Sequence, residues 1–270
     1  MRKLTIIFLF LMVNVWFALG WTPPSPITPP DTKPDAVANM NFGILGGNVA
    51  AVGGGDSVAQ VGSTTYWGSE AYSGNNAVTV HASAELLLVS ASGYDGEQNW
   101  LSGGTVKLCD ATNCAGTTQD FVIAADYDDT DSRQQATIWA LEDPNTGSQY
   151  VVWVGVDTGN SSEGMNWYAA GYDNVDQTTP ISDEAGTYEP TYEAAMISGS
   201  GDLIFCVCDT YAVGSITWAN ATEDGAAPNT YESNVGSIAT NNGGSNVTVS
   251  VSDVYAGYTV ITCVNIANQE

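Results

Sequence analysis

The chain has 270 residues and a formal net charge of −25, with 30 acidic residues and five basic ones. This acidity argues against nucleic acid and anionic lipid as partners, because both carry charge of the same sign. Only 13% of the residues are charged, and short Val, Ile, Tyr and Trp runs alternate with Gly, Ser, Thr and Asn. Such a composition is typical of an all-β protein with many turns.

Residues 1–20 have the organisation of a secretion signal. Arg2 and Lys3 precede an apolar run over 4–17, which small residues follow. Cleavage after Gly20 would leave three basic and 30 acidic residues, a net charge of −27. The alternative is an uncleaved anchor, but the run is shorter than the ~20 residues that span a bilayer comfortably. We therefore expect a secreted protein, extracellular or at the cell surface, with no membrane segment after cleavage.

A proline- and threonine-rich leash covers residues 21–35. Its prolines favour an extended polyproline conformation, because they fix φ and lack an N–H group. In the following segment, 36–45, the apolar residues Met40, Phe42 and Ile44 alternate with Asn and Gly. This period of two places three apolar side chains on one face of a strand. The strand is either donated to a neighbouring subunit or the first strand of its own domain.

Residues 46–270 are predicted to form one domain. The apolar runs have the spacing of hairpins and no helical periodicity, which predicts a single two-sheet antiparallel β-sandwich of jelly-roll type. The continuous apolar centre of 85–91 indicates a buried strand. We find no convincing internal repeat. The predicted strands cover 77–80, 85–91, 106–108, 120–125, 136–141, 150–156, 166–172, 192–197, 203–208, 245–251 and 258–264.

Three motifs within residues 77–266 resemble those of secreted bacterial jelly-roll modules. They are the L-x-x-P-x-x-G turn at 141–147, the V-D-Q-T-x-P-I loop at 175–181 and the G-D-L strand start at 201–203. The resemblance implies a lectin-like, concanavalin-like sandwich of the kind used on surfaces and in extracellular assemblies, sometimes as a binding module. These motifs report architecture, and the family has no shared catalytic residues to carry over.

The sequence does not favour an enzyme. His81 is the one imidazole of the chain, and it lies at the end of a predicted strand. No G-x-S-x-G nucleophile elbow is present in the sequence. Among 30 acids, spacing in sequence neither identifies nor excludes a glycosidase pair. We therefore expect a protein without catalytic residues.

The tightest acidic constellation is a candidate calcium site formed by Asp126, Asp128, Asp129 and Asp131. Calcium ions take six to eight hard oxygen ligands, and alternate loop aspartates supply them. The stretch lacks the turn glycine and the closing glutamate of an EF-hand. A solvated acidic loop is the alternative, so calcium is a candidate ligand and no cofactor is required.

All five cysteines lie beyond the signal, and export would place them where disulfides persist. Cys109 and Cys114 flank a short polar loop that a disulfide would close. Cys206 and Cys208 point to the same face of one strand, where a bond between them would be strained. Cys263 is therefore expected to pair with one of the two. The remaining thiol is either buried or available for a bond between subunits.

Three asparagines fit the N-glycan acceptor pattern, namely Asn160, Asn220 and Asn246. In a chain this rich in Ser and Thr several chance matches are expected. None has an acid two residues before the asparagine, as the bacterial acceptor pattern usually requires. They are candidate glycosylation sites on the surface.

Aromatic residues are abundant, with eight Trp and 13 Tyr. Exposed rings on a sandwich allow carbohydrate-binding modules to stack against sugars, whereas rings within strands usually pack in the core. We predict core positions for Trp139, Trp153 and Trp167, and exposed positions for Tyr66, Trp67 and Trp100.

Together these features favour a pilus-like extracellular filament or surface assembly. Its subunits would polymerise head to tail by donating segment 36–45 to the next sandwich, with Met40, Phe42 and Ile44 as anchors. The alternative is a secreted carbohydrate-binding module or adhesin, whose partners would be glycans. The two hypotheses differ in their test, since a filament forms without any added ligand.

Overall fold

A computed structural model describes residues 56–69, 73–94, 101–129, 134–155, 165–188, 191–211, 216–224, 229–231, 234–252, 254 and 258–269. The described residues form antiparallel β-sheets that pack face to face, which confirms the predicted all-β antiparallel sandwich. The structure adds a second pair of sheets to the two that were predicted. The signal, the leash and segment 36–45 lie outside the described residues.

In the described part of the N-terminal half there are nine strands, and they form two sheets. These strands are β1 Ala59–Ser69, β2 Gly74–Val80, β3 Leu86–Tyr94, β4 Thr105–Cys109, β5 Thr118–Asp120, β6 Val122–Asp129, β7 Gln134–Glu142, β8 Gly147–Val154 and β9 Met165–Asp173. The outer N-terminal sheet has the order β2-β8-β4-β5. The inner N-terminal sheet has the order β1-β9-β3-β7-β6.

The described residues of the C-terminal half form nine further strands in two sheets. They are β10 Ile181–Tyr188, β11 Glu193–Met196, β12 Leu203–Tyr211, β13 Thr217–Ala219, β14 Thr222–Glu223, β15 Asn229–Tyr231, β16 Asn234–Asn242, β17 Val247–Ser252 and β18 Thr259–Ile266. The inner C-terminal sheet has the order β10-β18-β12-β16-β14, and β15 also pairs with β16. The outer C-terminal sheet has the order β11-β17-β13.

Three apolar cores show that the sheets stack in four layers. Leu86 and Leu88 of β3 pack with Phe205 and Val207 of β12 in the central core, between the two inner sheets. The alternate residues of β3 face the outer N-terminal sheet, and those of β12 face the outer C-terminal sheet. Strands of both inner sheets are therefore buried on both faces, which explains their continuous apolar sequence.

The two halves repeat one jelly-roll topology. In each half the chain alternates between an inner and an outer sheet, and the inner orders β1-β9-β3-β7 and β10-β18-β12-β16 match strand for strand. Register matches as well: Leu86 lies opposite Glu142 in the first half, and Leu203 lies opposite Asn242 in the second. The structure thus contains an internal duplication that we did not find in the sequence.

The inner sheets pack so that their edge strands come together at two seams. At one seam β6 of the N-terminal half packs against β10 of the C-terminal half, and at the other β1 packs against β15. Within the duplication β10 corresponds to β1, and β15, which pairs with β16, corresponds to β6, which pairs with β7. The two seams are therefore equivalent in topology. They differ in side chains, and this difference creates the candidate site.

Candidate functional site

An open groove lies at the seam between β6 and β10. Each of these strands is the last of its sheet and has eight residues, and among the described residues neither pairs with a second neighbour along its outer edge. A free edge presents unpaired N–H and C=O groups that can bind an added strand. The groove has a volume of about 680 Å³.

The groove is apolar at its floor and on one wall, whereas six of the twelve residues that line it are Thr, Ser, Asp or Glu. Val122 and Ile123 stand on the wall with 65% and 46% of their surface exposed. Ala124 and Ile181 line the groove and also pack against the central core. A side chain that entered the groove would therefore extend the main core of the molecule.

Carboxylates surround the apolar part of the groove. Glu142 is the last residue of β7, and Asp183 and Glu184 belong to β10. Asp183 is held in place because its carboxylate accepts a hydrogen bond of 2.6 Å from the backbone N–H of Ile197. This negative rim disfavours anionic occupants and favours neutral or cationic ones.

Tyr127 closes the far end of the seam. Its ring lies so near Gly186 of β10 that a Cβ atom at position 186 would stand 2.2 Å from the ring. A glycine is therefore required there for the two inner sheets to approach. Burial, and then the charge of Glu184, raises the pKa of the Tyr127 phenol. The seam is thus packed at this end and open from Val122 to Ala124.

The equivalent seam on the other side of the molecule is bridged by polar side chains. Thr64 of β1 donates a hydrogen bond to the carboxylate of Asp224, which follows β14. Gln60 in turn donates to the Thr64 hydroxyl at 2.9 Å. The two seams of the duplicated fold therefore differ, with a hydrogen-bonded contact at one and an apolar groove at the other.

Three tyrosines form a second surface feature at one end of the inner sheets. Tyr94, Tyr211 and Tyr258 have ring centroids 5.9 to 6.4 Å apart. Tyr211 and Tyr258 are exposed, and Tyr94 is partly buried. The sequence does not reveal this tyrosine cluster, because its members come from three separate segments: the ends of β3 and β12 and the residue before β18. Strand pairing brings Tyr211 and Tyr258 together, and the packing of the inner sheets adds Tyr94.

A buried polar layer lies beneath the tyrosine cluster. Asp209 is fully buried, and its Oδ1 accepts hydrogen bonds from Ser92 at 3.2 Å and from Asn166 at 3.4 Å. Its Oδ2 has no hydrogen-bond partner among the described residues. Burial raises the pKa of Asp209 well above its usual range, because the charged form loses its hydration. Gly236, opposite Asp209 in β16, leaves room for the Asn166 side chain.

The predicted positions of the aromatic residues are partly confirmed. Trp139, Trp153 and Trp167 are buried and stack in the core between the N-terminal sheets. Trp67 was expected to be exposed but is partly buried, since its ring stacks on Trp167 at 5.8 Å. Tyr66 is exposed, as predicted. Trp100 lies outside the described residues.

Three of the four candidate calcium ligands lie in a strand. Asp126 and Asp128 lie in β6, and Asp126 accepts hydrogen bonds from Gln135 at 2.7 Å and from Thr137 at 2.6 Å. Asp129 ends the strand, and Asp131 lies outside the described residues. Within the described part of the chain no three His, Cys, Asp or Glu side chains are grouped closely enough to hold a metal ion. Calcium binding by this set stays a prediction.

Two disulfides are present, and both agree with the expected pairing. Cys109 bonds to Cys114, and Cys206 bonds to Cys263. The second bond joins residues that lie directly opposite each other on β12 and β18. Cys208 is a free, buried thiol whose pKa is raised by burial and by the neighbouring Asp209. Burial is therefore the reading that the structure favours for the odd cysteine, over a bond between subunits.

The remaining candidate residues lie on the surface or outside the described residues. His81 is exposed, and its Nδ1 accepts a hydrogen bond of 3.2 Å from the backbone N–H of Ser83 within a local turn. Asn220 and Asn246 are exposed, and the Asn220 amide donates to the carbonyl of Thr248 at 2.9 Å. Asn160 and the anchors in segment 36–45 are outside the described residues. No helix among the described residues is long and apolar enough to cross a membrane.

Comparison with known proteins gives no further guide to the site. No protein-family model, curated protein or solved structure matches this chain.

Proposed function

We propose that this protein is an extracellular structural subunit that assembles into filaments by donating segment 36–45 to a neighbouring sandwich. The observation that carries the proposal is the completeness of the duplicated fold. Every inner and outer strand of the C-terminal jelly roll has a counterpart in the N-terminal one, from β1 onwards. Segment 36–45 precedes this set, so the two jelly rolls do not need it as a first strand.

The composition of the segment supports a role in assembly. Residues 36–55 contain no charged side chain, although the chain has 30 acids. Copies of a protein with a charge near −27 repel each other, and a neutral segment can approach a neighbour with the least repulsion. Alternating Met40, Phe42 and Ile44 supply apolar side chains for pockets, while the backbone supplies hydrogen bonds along a free edge.

Secretion belongs to the same proposal. The two disulfides are compatible with an oxidising extracellular environment. The signal-like residues 1–20 would direct export, and cleavage would free the leash and the donor segment. Assembly would then begin only outside the cell.

The test compares the mature chain from Trp21 with a chain that lacks residues 21–45, by negative-stain electron microscopy. We expect filaments from the first and monomers from the second. Monodisperse particles from both chains would contradict the proposal.

Point variants test whether one face of the segment carries the binding. Phe42→Asp adds a charge on the predicted anchor face and should abolish filaments. Asn41→Asp adds the same charge on the opposite face and should leave most assembly intact. Equal effects of the two substitutions would argue against a strand that inserts one face into a pocket.

A second candidate function is the binding of a carbohydrate, and the tyrosine cluster favours it. Tyr211 and Tyr258 offer exposed ring faces at the end of the sandwich, and aromatic faces of this kind pack against the apolar face of a pyranose. Screening the truncated chain on a glycan array, with and without Ca²⁺, tests this function separately from assembly. Retention that Tyr211→Ala abolishes and Tyr66→Ala preserves would support it.

A further inference from the structure

We infer that the groove between β6 and β10 is the acceptor for segment 36–45 of a second copy of this chain. The inference rests on the proposed strand donation and adds its partner surface. It is carried by the position of the groove, by its unpaired edges, by its apolar floor and by the charge of its rim.

The groove and the first described strand, which the donor segment precedes in sequence, lie at opposite edges of one sheet. That strand is β1, the first in the order β1-β9-β3-β7-β6. The groove lies beside β6, the last strand, about four strand spacings or ~19 Å away. A contact that joins one edge of a subunit to the opposite edge of the next is head to tail. Such a contact propagates into a filament unless the rotation between subunits closes a ring.

The first half of β6 is suited to accept a strand. Val122 to Ala125 is uncharged, whereas Asp126, Asp128 and Asp129 follow in the second half. Charged residues and prolines normally protect exposed edges from pairing, and the uncharged stretch has neither. An inserted strand could add to β6 or to β10, and in either position it would continue an existing inner sheet.

The floor of the groove supplies a reason for the apolar anchors. Ala124 and Ile181 line the groove and touch the central core, so a Phe or Ile side chain seated there would be removed from water on several sides. Insertion would also cover Val122 and Ile123, which are unusually exposed for residues of their type. The Tyr127 ring packs against Gly186 and closes the groove at one end. An inserted strand cannot extend past this contact, so its register is restricted.

Charge selects a neutral occupant. The groove is rimmed by Glu142, Asp183 and Glu184, so an acidic segment of a neighbour would be repelled. Segment 36–45 has no charge, and the residues that join it to the described body, 46–55, have none either. From Ile44 to Asp56 the chain can span ~40 Å when extended, which is enough to leave its own body.

The test is a disulfide crosslink in the full mature chain. Phe42→Cys combined with Val122→Cys should give an oxidised ladder of dimers and higher oligomers on non-reducing gels. The matched control combines Phe42→Cys with Val154→Cys, since Val154 is also an exposed valine at a strand terminus and lies outside the groove. The control should give at least tenfold less ladder.

The outcomes separate this inference from the proposed function. If filaments form without a crosslink between positions 42 and 122, the groove is not the acceptor, but the proposed strand donation is not contradicted. A crosslink confined to monomers would show that the chain fills its own groove, which would overturn both. Absence of filaments and of crosslinks would also overturn both.

A second variant avoids dependence on new thiols. Val122→Asp places a charge at the mouth of the groove and should suppress filaments, while Val154→Asp should not. Both positions are exposed, so neither substitution should change the folded far-UV circular dichroism spectrum. Loss of filaments in both variants, or in neither, would contradict the assignment of the groove.

Discussion

Asp209 is a carboxyl group enclosed between the inner sheets, with hydrogen-bond donors on one oxygen and none among the described residues on the other. Its pKa is raised in the folded protein by burial. Its stabilising contribution is therefore complete below the usual Asp pKa, where both states are protonated. It is lost as the pH rises through the folded pKa, since the unfolded chain ionises first.

We predict that Asp209→Asn stabilises the protein at pH 8 and changes its stability little at pH 3.5. The expected gain at pH 8 is about 1–3 kcal/mol, the usual cost of a buried polar group that is poorly satisfied. Urea denaturation at the two pH values measures the difference. A variant that is less stable than the parent at pH 8 would show that the carboxylate is compensated by a partner.

The two disulfides should differ in their contribution to stability. Cys206–Cys263 closes a sequence separation of 57 residues and Cys109–Cys114 one of five. Loop-closure entropy then predicts a loss of about 4 kcal/mol for the Cys206→Ala/Cys263→Ala variant and about 2 kcal/mol for Cys109→Ala/Cys114→Ala. Denaturant midpoints of both variants test this order. Equal losses would indicate that residual structure in the unfolded chain, and not loop length, dominates.

At the scale of elements, the duplication extends to the carboxylates that precede β3 and β12. Glu85 accepts a hydrogen bond of 2.9 Å from the backbone N–H of Val175, just after β9. Asp202 accepts one of 2.9 Å from the backbone N–H of Asn268, just after β18. Each carboxylate thus fixes the end of the last strand of its half. Asp202 also accepts bonds from the backbone N–H of Gly199 and the amide of Asn265.

We predict that Asp202→Ala destabilises the fold by about 2–4 kcal/mol and Glu85→Ala by about 1–2 kcal/mol. The difference follows from the number of hydrogen bonds lost, because bonds to a charged acceptor contribute more than neutral ones. Thermal and urea unfolding of both variants provide the comparison. If Glu85→Ala lost more stability than Asp202→Ala, the result would contradict the role assigned to both carboxylates, which is to fix the end of the last strand of each half.

Strands with a strong apolar pattern could be predicted from the sequence, and weakly patterned ones could not. The continuous apolar run of β3 predicts the buried strand that the structure shows. The Pro-Asn-Thr-Gly segment does connect two strands, β7 and β8, but they belong to different sheets, so no hairpin forms there. In contrast, β16 was not predicted, because Val235 and Ile238 are its only large apolar residues. Among the described strands β16 pairs with β12, β14 and β15, and sequence periodicity does not reveal this pairing.

Of the two parts of the proposed contact, the sequence predicts the segment 36–45 but not the groove. Alternation in segment 36–45 predicts a strand from its own residues, and whether that strand is donated stays a prediction. The groove requires β6 and β10 to meet at a seam of the inner sheets, although their first residues, Val122 and Ile181, are 59 positions apart in sequence. No local pattern encodes that meeting. The same reason hid the tyrosine cluster and the duplication.

At the scale of the whole molecule, the described sheets stack in four layers, with β1 at one edge of the inner N-terminal sheet and the groove beside β6 at the opposite edge. Under the proposed strand donation this arrangement would give assembly a direction, since each subunit would donate at one side and accept at the other. The high acidity of the body would oppose any contact in which large surfaces face each other. Strand donation needs only a narrow contact and is therefore compatible with a charge near −27.

The most direct measurement is the length of filaments formed when the mature chain is mixed with increasing fractions of the chain that lacks residues 21–45. The truncated chain keeps the groove but has no strand to donate, so each copy that joins a filament should end its growth. We predict that mean length falls steeply as the truncated fraction rises. Filaments of unchanged length at equal concentrations of the two chains would contradict assembly by strand donation.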